Sequence, residues 1–253
     1  MTKYDDLIEF LLRMGDSAVV KGQRLCEWCG NAPALEEEMA LMNVGLDLIG
    51  QARNWLDYAA ELIDDGRDAD QLAYCRDERA YRNLLLVEQP NGDFAVTMAK
   101  QFFYDAWQYH MLQGLVESSD ERVAAIAAKA LKEVTYHLRR SSEWVQRLGD
   151  GTEESHQRMV AGVEEVWRFT CELTAGDDVE QRLAEAGVIP SMETVAAAWQ
   201  ETVNQVLTSA TLTTPEAARS FYLNGRNGVH SEHLGILLAE MQFLQRAYPN
   251  ATW

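Results

Sequence analysis

Two tetrapeptides of this chain carry half of a chemistry. Asp47-Leu48-Ile49-Gly50 and Val134-Thr135-Tyr136-His137 have the spacing at which a helix holds an acid and an imidazole one turn apart, the pairing by which helical carboxylate proteins bridge two metal ions. The first keeps its acid and has Gly50 where the imidazole belongs. The second keeps His137 and has Val134 where the acid belongs, because Glu133 stands four residues back and not three. Two hard, highly charged ions need about four carboxylates and two imidazoles converging on one core. The expectation is therefore that Asp47, Gly50, Val134 and His137 are vestigial metal positions, with no metal ligand and no catalytic residue in the chain. Glu27 and Asp105 are expected on solvated helix faces, since unpaired acids are seldom buried. His137 is expected to satisfy a core hydrogen bond or to pair with Asp47. Gly50 costs about 1 kcal/mol relative to alanine inside a helix, which close contact with a neighbouring helix would explain.

Other constellations are weaker. His230 and His233 stand at i, i+3 around Glu232, with Glu240 beyond; without a third ligand this spacing suits hydrogen-bonded histidines at a helix start. Cys26 and Cys29 form a C-x-x-C. They fall at the end of a helical stretch, its negative end, where a thiolate is disfavoured, so packing cysteines are expected. Arg76-Asp77-Glu78-Arg79-Ala80-Tyr81-Arg82-Asn83 gathers cations, a phenol and an amide on an acidic chain. Such a patch could hold a phosphate-bearing ligand, or be a connection stapled by its own ion pairs. Arg182 is a lesser candidate of the same kind. Phosphate-loop, nucleophile-elbow and dinucleotide glycine motifs are missing from the sequence.

The elements that must position these residues read as helices. Leu7, Ile8, Leu11, Leu12, Val19 and Leu25 recur at helical spacing until Gly30-Asn31-Ala32-Pro33 interrupts them, and a second periodic stretch runs from Ala34 to about Ile63. An irregular crossover over 64–85 leads to a turn, Glu88-Gln89-Pro90-Asn91-Gly92-Asp93, in which Asp93 is placed to cap the next helix. Helices are predicted over 94–118 and 120–148, then near 153–174, 192–208 and 231–246, the last capped by Ser231. Two hairpins joined by one long crossover define an all-α, ferritin-like four-helix bundle with additional C-terminal helices, and the reading is one domain, 1–253.

Composition narrows the function classes. A formal charge of -18 on 253 residues repels nucleic acid and anionic membranes. No apolar run reaches the roughly 20 residues of a spanning helix, and no signal peptide opens the chain, so a cytoplasmic protein is expected.

The runs Arg24-Leu25-Cys26-Glu27-Trp28-Cys29-Gly30, Gly45-Leu46-Asp47-Leu48-Ile49-Gly50-Gln51-Ala52-Arg53-Asn54, Asn83-Leu84-Leu85-Leu86-Val87-Glu88-Gln89-Pro90-Asn91-Gly92, Tyr136-His137-Leu138-Arg139 and Glu232-His233-Leu234-Gly235 with Leu238-Ala239-Glu240-Met241-Gln242 resemble one family across nearly the whole chain. It is the C subunit of the ring 1,2-phenylacetyl-CoA epoxidase, a bacterial multicomponent monooxygenase of phenylacetate catabolism. The resemblance implies a non-catalytic, ferritin-like partner of a homologous A subunit that holds the diiron centre and binds the CoA thioester, with a separate reductase among the other components. It also implies substrate contact near Ala80, Tyr81, Arg82 and Asn83, and near Gln181, Arg182 and Leu183.

The Met39 and Met42 face and the aromatic run Phe102-Phe103-Tyr104 with Trp107 are either a pairing surface or the chain's own core, and self-association into a homodimer is a further expectation. The rival from another class is an independent metal-dependent oxidase or metal-storage bundle using Asp47, His137 and Glu133, which iron bound by this chain by itself would favour. A third reading is a free-standing CoA-binding or self-assembling helical module.

Overall fold

A computed structural model describes residues 3–216, 224–249 and 251. Among them the regular structure is helical, apart from an isolated antiparallel bridge between Asn224 and Val229. The helices are α1 (Lys3–Cys26), α2 (Leu35–Ile63), α3 (Ala69–Tyr74), α4 (Leu85–Glu88), α5 (Phe94–Leu115), α6 (Glu121–Gly149), α7 (Glu153–Trp167), α8 (Cys171–Thr174), α9 (Asp178–Glu185), α10 (Met192–Ser209), α11 (Glu232–Met241) and α12 (Phe243–Ala247). Single 3-10 turns lie at Glu78–Ala80 and Gly225–Asn227. The chain divides into two compact units, Met1–Pro90 with Tyr222–Trp253, and Asn91–Phe221.

In the first unit α1 and α2 form an antiparallel hairpin. A Cβ on Gly15 would touch Leu56 and Trp55, whereas one on Gly22 would lie 3.2 Å from the Gly45 carbonyl and 3.2 Å from Ile49. Gly22 and Gly45 thus face each other and let the two backbones approach. That is the close contact expected of Gly50, which instead is exposed with open space where a Cβ would stand. Cys26 ends α1, and Cys29 lies in the turn that follows, before Gly30 at φ 78.

The second unit is built on α5, which is buried on nearly every side from Ala95 to Gln108. Asp93 caps it by accepting from the Val96 amide at 3.0 Å, as expected. Phe94 meets Trp144 edge-on at 5.1 Å and Arg140 approaches Gln101 at 3.4 Å, so α6 runs antiparallel to α5. Trp167 and Trp199 stack at 5.9 Å beside Phe103, whose carbonyl accepts from the Trp199 indole at 2.9 Å. Phe102, Phe103, Tyr104 and Trp107 are buried, so of the two readings of the aromatic run it is core and not a pairing surface. The acid of Asp105 is fully buried too, against the expected solvated face. Burial pushes the Tyr104 phenol up, and the neighbouring Asp105 charge adds to it.

Candidate functional site

The 76–83 connector is fastened by residues far away in sequence. Asp16, inside α1 and fully buried, receives both Nη atoms of Arg76, one of them at 3.1 Å, and the Arg82 amide at 2.8 Å. The Arg76 guanidinium also donates to the Leu72 and Ala80 carbonyls and lies 4.6 Å above the Tyr81 ring. Tyr81 donates its phenol to the Ala73 carbonyl and accepts from Gln242 at 3.0 Å; burial, and then the Asp16 charge, push that phenol up. Arg82 reaches Glu9 at 3.0 Å. Mixed charges here make a stapled connection, but the ion pairs that hold it run to α1 and α12 side chains, Arg246 binding Asp77 at 2.9 Å.

A second buried polar knot follows. Glu88 accepts from Asn83 Nδ2 at 2.8 Å, His230 Nδ1 at 2.8 Å, and both the amide and hydroxyl of Ser231 at 2.7 Å. His230 Nε2 faces the Tyr81 carbonyl at 3.0 Å, so both ring nitrogens meet oxygen atoms of the chain. Ser231 occupies the N-cap position of α11 without capping it through its side chain, because its hydroxyl is committed to Glu88. His230 lies ahead of that cap, which places it and His233 off a common helical face; His233 contributes its carbonyl to Arg24 at 3.3 Å. The approach of Gly225 is tight enough that a Cβ would lie 2.0 Å from the Asn83 carbonyl.

Of the expected substrate contacts, then, Tyr81 and Asn83 are buried in these networks while Ala80 and Arg82 are half-buried. A cleft of about 230 Å³ opens beside them, lined by Asp77, Glu78, Gly235, Leu238, Gln242 and Arg246 among others. In the second unit Gln181 and Arg182 are exposed on α9 and Leu183 is buried. Gln181 borders a cleft of about 530 Å³ whose other lining residues include Asp177, Asp178, Glu180 and Glu185, an acidic wall ill-suited to phosphate.

The metal positions divide in the same way. On α2, Asp47 is half-buried and Gly50 exposed; on α6, Val134 and His137 are buried, His137 with its ring 6.3 Å from Tyr136. Glu27 lies past the end of α1, bound to Arg24 at 2.7 Å. Gly50 and Val134 offer no donor, and no group of three or more His, Cys, Asp or Glu placed to hold an ion occurs among the described residues. These residues do not fit a paired-iron centre. Burial pushes the Cys26 thiol up, with the Cys29 and Glu27 charges adding to it, the opposite of a reactive C-x-x-C. The sequence patterns that mark metal and phosphate sites pass over Asp16 and Glu88. A signal for both is nonetheless there: Asp16 interrupts the largely apolar Met14 to Val20, and Glu88 closes the apolar run Leu84-Leu85-Leu86-Val87.

This is an all-α protein whose α2 and α6 keep the spacing of metal-binding helices without the ligand set. The chain belongs to the phenylacetic acid catabolic protein family, whose sequence model matches residues 1–253. It is 50% identical over 249 residues to the C subunit of the 1,2-phenylacetyl-CoA epoxidase of Escherichia coli (strain K12), a match covering 98% of this chain and 100% of that protein. The resemblance drawn from the five motifs is borne out. No described helix is long and apolar enough to cross a membrane.

Proposed function

We propose that this chain is a structural, non-catalytic subunit of a multicomponent 1,2-phenylacetyl-CoA epoxidase, a cytoplasmic complex in which a homologous A subunit holds the diiron centre and a reductase supplies electrons. The observation that carries this reading is the absence of donors at Gly50 and Val134 in a chain half identical, along its whole length, to the C subunit of such an epoxidase. In this reading 1–253 form one domain of the ferritin-like four-helix class with additional C-terminal helices. The connector at Ala80 to Asn83 contributes ligand contact through Ala80 and Arg82, whose side chains are the more accessible of the four, and Tyr81 and Asn83 hold it in place. Gln181 and Arg182 are the accessible members of the second stretch.

The test is reconstitution. Co-expressed A subunit, reductase and this chain should epoxidise phenylacetyl-CoA; leaving this chain out should abolish turnover, and this chain by itself should show none. Iron at about two equivalents in the isolated chain, the stoichiometry of a dimetal site, would overturn the reading in favour of an independent metal protein.

A further inference from the structure

The end of α1 brings two free thiols into one turn. From its last turn onward the backbone tightens to three-residue hydrogen bonds, the Trp28 amide donating to the Leu25 carbonyl at 3.1 Å and the Cys29 amide to the Cys26 carbonyl at 3.1 Å. At this spacing side chains three residues apart eclipse one another. A turn closed in this way keeps its end Cα atoms within about 7 Å, and a disulfide spans Cα separations of about 4.4–6.8 Å. The turn is fastened from both flanks: Arg24 pairs with Glu27 at 2.7 Å, and Asn31 Nδ2 donates to the Glu27 and Cys29 carbonyls at 3.2 and 3.4 Å. The two thiols meet different surroundings. Cys29 is exposed, where a cysteine contributes little to packing, whereas Cys26 is half-buried, its sulfur 3.6 Å from where a Cβ on Gly45 would stand.

We infer that Cys26 and Cys29 are a modification site, a reversible disulfide formed by hydrogen peroxide with Cys29 as the attacking thiol and Cys26 as the resolving one. The Cys29 thiolate attacks one peroxide oxygen; the O–O bond breaks, the sulfur gives up two electrons, and the other oxygen leaves as hydroxide, which takes up the proton Cys29 had released. The Cys26 sulfur then attacks the sulfenic sulfur, the S–S bond forms, and the expelled hydroxide leaves as water with the Cys26 proton. Two thiols and one peroxide thus give one disulfide and two waters. Access assigns the first step to Cys29. Burial, then the Cys29 and Glu27 charges, hold the Cys26 thiol protonated. Once Cys29 has become an uncharged sulfenic acid its part of that opposition is gone, so Cys26 gains reactivity only after Cys29 has been oxidised. This order suits a peroxide trap and not a dithiol exchange catalyst, whose entry thiol needs a lowered pKa. Bridging also spares the hairpin: a sulfinate on Cys26 would set a fixed charge against Gly45, whereas the disulfide is returned to thiols by reductant.

The experiment treats the full-length reduced chain with excess hydrogen peroxide and maps its peptides by mass over time, before and after dithiothreitol. The parent should lose two hydrogen atoms on the segment carrying Cys26 and Cys29 and regain them with dithiothreitol. Cys29→Ser should leave Cys26 largely reduced over the time in which the parent becomes fully bridged. Cys26→Ser should carry Cys29 on to the sulfinic acid, which dithiothreitol does not reverse. If Cys29 of the parent reaches the sulfinic acid while Cys26 stays reduced, if either cysteine bridges to Cys75 instead, or if both stay reduced, the inference is overturned. No other subunit is present in the assay, so each of these results leaves the function proposed above untouched.

Discussion

Replacing Glu88 by glutamine removes a charge and almost nothing else, and the structure sets the size of the effect. The buried carboxylate receives Asn83, His230 and two donors of Ser231, all at 2.7–2.8 Å. A glutamine amide can present its oxygen to the two Ser231 donors, and then its nitrogen faces His230 and Asn83. The imidazole can change tautomer and accept, still donating Nε2 to Tyr81. Asn83 Nδ2 cannot, and keeps only its 3.1 Å contact to the Leu84 carbonyl. One buried donor loses its main acceptor, at about 1–3 kcal/mol, and the surviving bonds lose charge assistance. The total is about 3–5 kcal/mol, the range for breaking a buried pair. At roughly 2–4 °C per kcal/mol for a chain of this size, Glu88→Gln should lower the melting temperature by about 6–20 °C, read by circular dichroism. Hydrogen exchange should rise at Ser231 and through 81–84. Combined with His230→Gln in a double-mutant cycle, it should show a coupling of at least about 1 kcal/mol. A glutamine variant melting within about 1 °C of the parent, or zero coupling, would refute the stabilising role of the Glu88–His230 pair.

Gly22→Ala should destabilise the α1–α2 hairpin by about 1–3 kcal/mol, the cost of overpacking a close contact, whereas Gly50→Ala should stabilise by up to about 1 kcal/mol; paired thermal melts decide, and the reverse order would refute the assignment of the contact. Cys26 should alkylate more slowly with iodoacetamide at neutral pH than Cys29, because burial holds its thiol protonated while Cys29 is exposed; peptide mass mapping over time reads this out. Burial lowers the His110 pKa, with the Gln113 hydrogen bond opposing, so the unfolded chain binds the proton more readily than the folded one. Its contribution is therefore fully present above the unfolded value near 6.5 and is lost as pH falls through the folded pKa; His110→Gln should flatten the melting temperature over that acid limb.

Helix periods were legible because apolar spacing on long amphipathic helices is a direct consequence of burial, and α2, α5 and α6 fall within a few residues of expectation. The α5 face was not, because a helix buried on nearly every side has no polar stripe to mark which aromatic residues lie inside. Gly50 misled for a related reason. Sequence shows that a helical glycine needs a neighbour but not which glycine has one, and here Gly22 and Gly45 meet while Gly50 looks outward. The short α9 escaped notice because eight residues carry too few apolar repeats to declare a period. In the connector the cations were visible but their partners were not: Asp16 precedes Arg76 by 60 residues, and His230 follows Glu88 by 142.

Those two long-range pairs also bear on how the chain manages buried acid. A carboxylate taken out of water must be neutralised or heavily hydrogen-bonded, and in dimetal helical proteins interior acids are matched by ions. Here Asp16 is matched by the Arg76 guanidinium, a cation carried by the chain itself, and Glu88 by hydrogen bonds with His230, Asn83 and Ser231. Each pair ties a helix or connector of the first unit to a distant stretch: α1 to the segment after α3, and α4 to the residues before α11. Charge that could have been held by a ligand is held by topology instead. The connector's geometry is then set by the fold before any partner arrives, and Arg76 and His230 become residues whose loss leaves an uncompensated carboxylate in the interior.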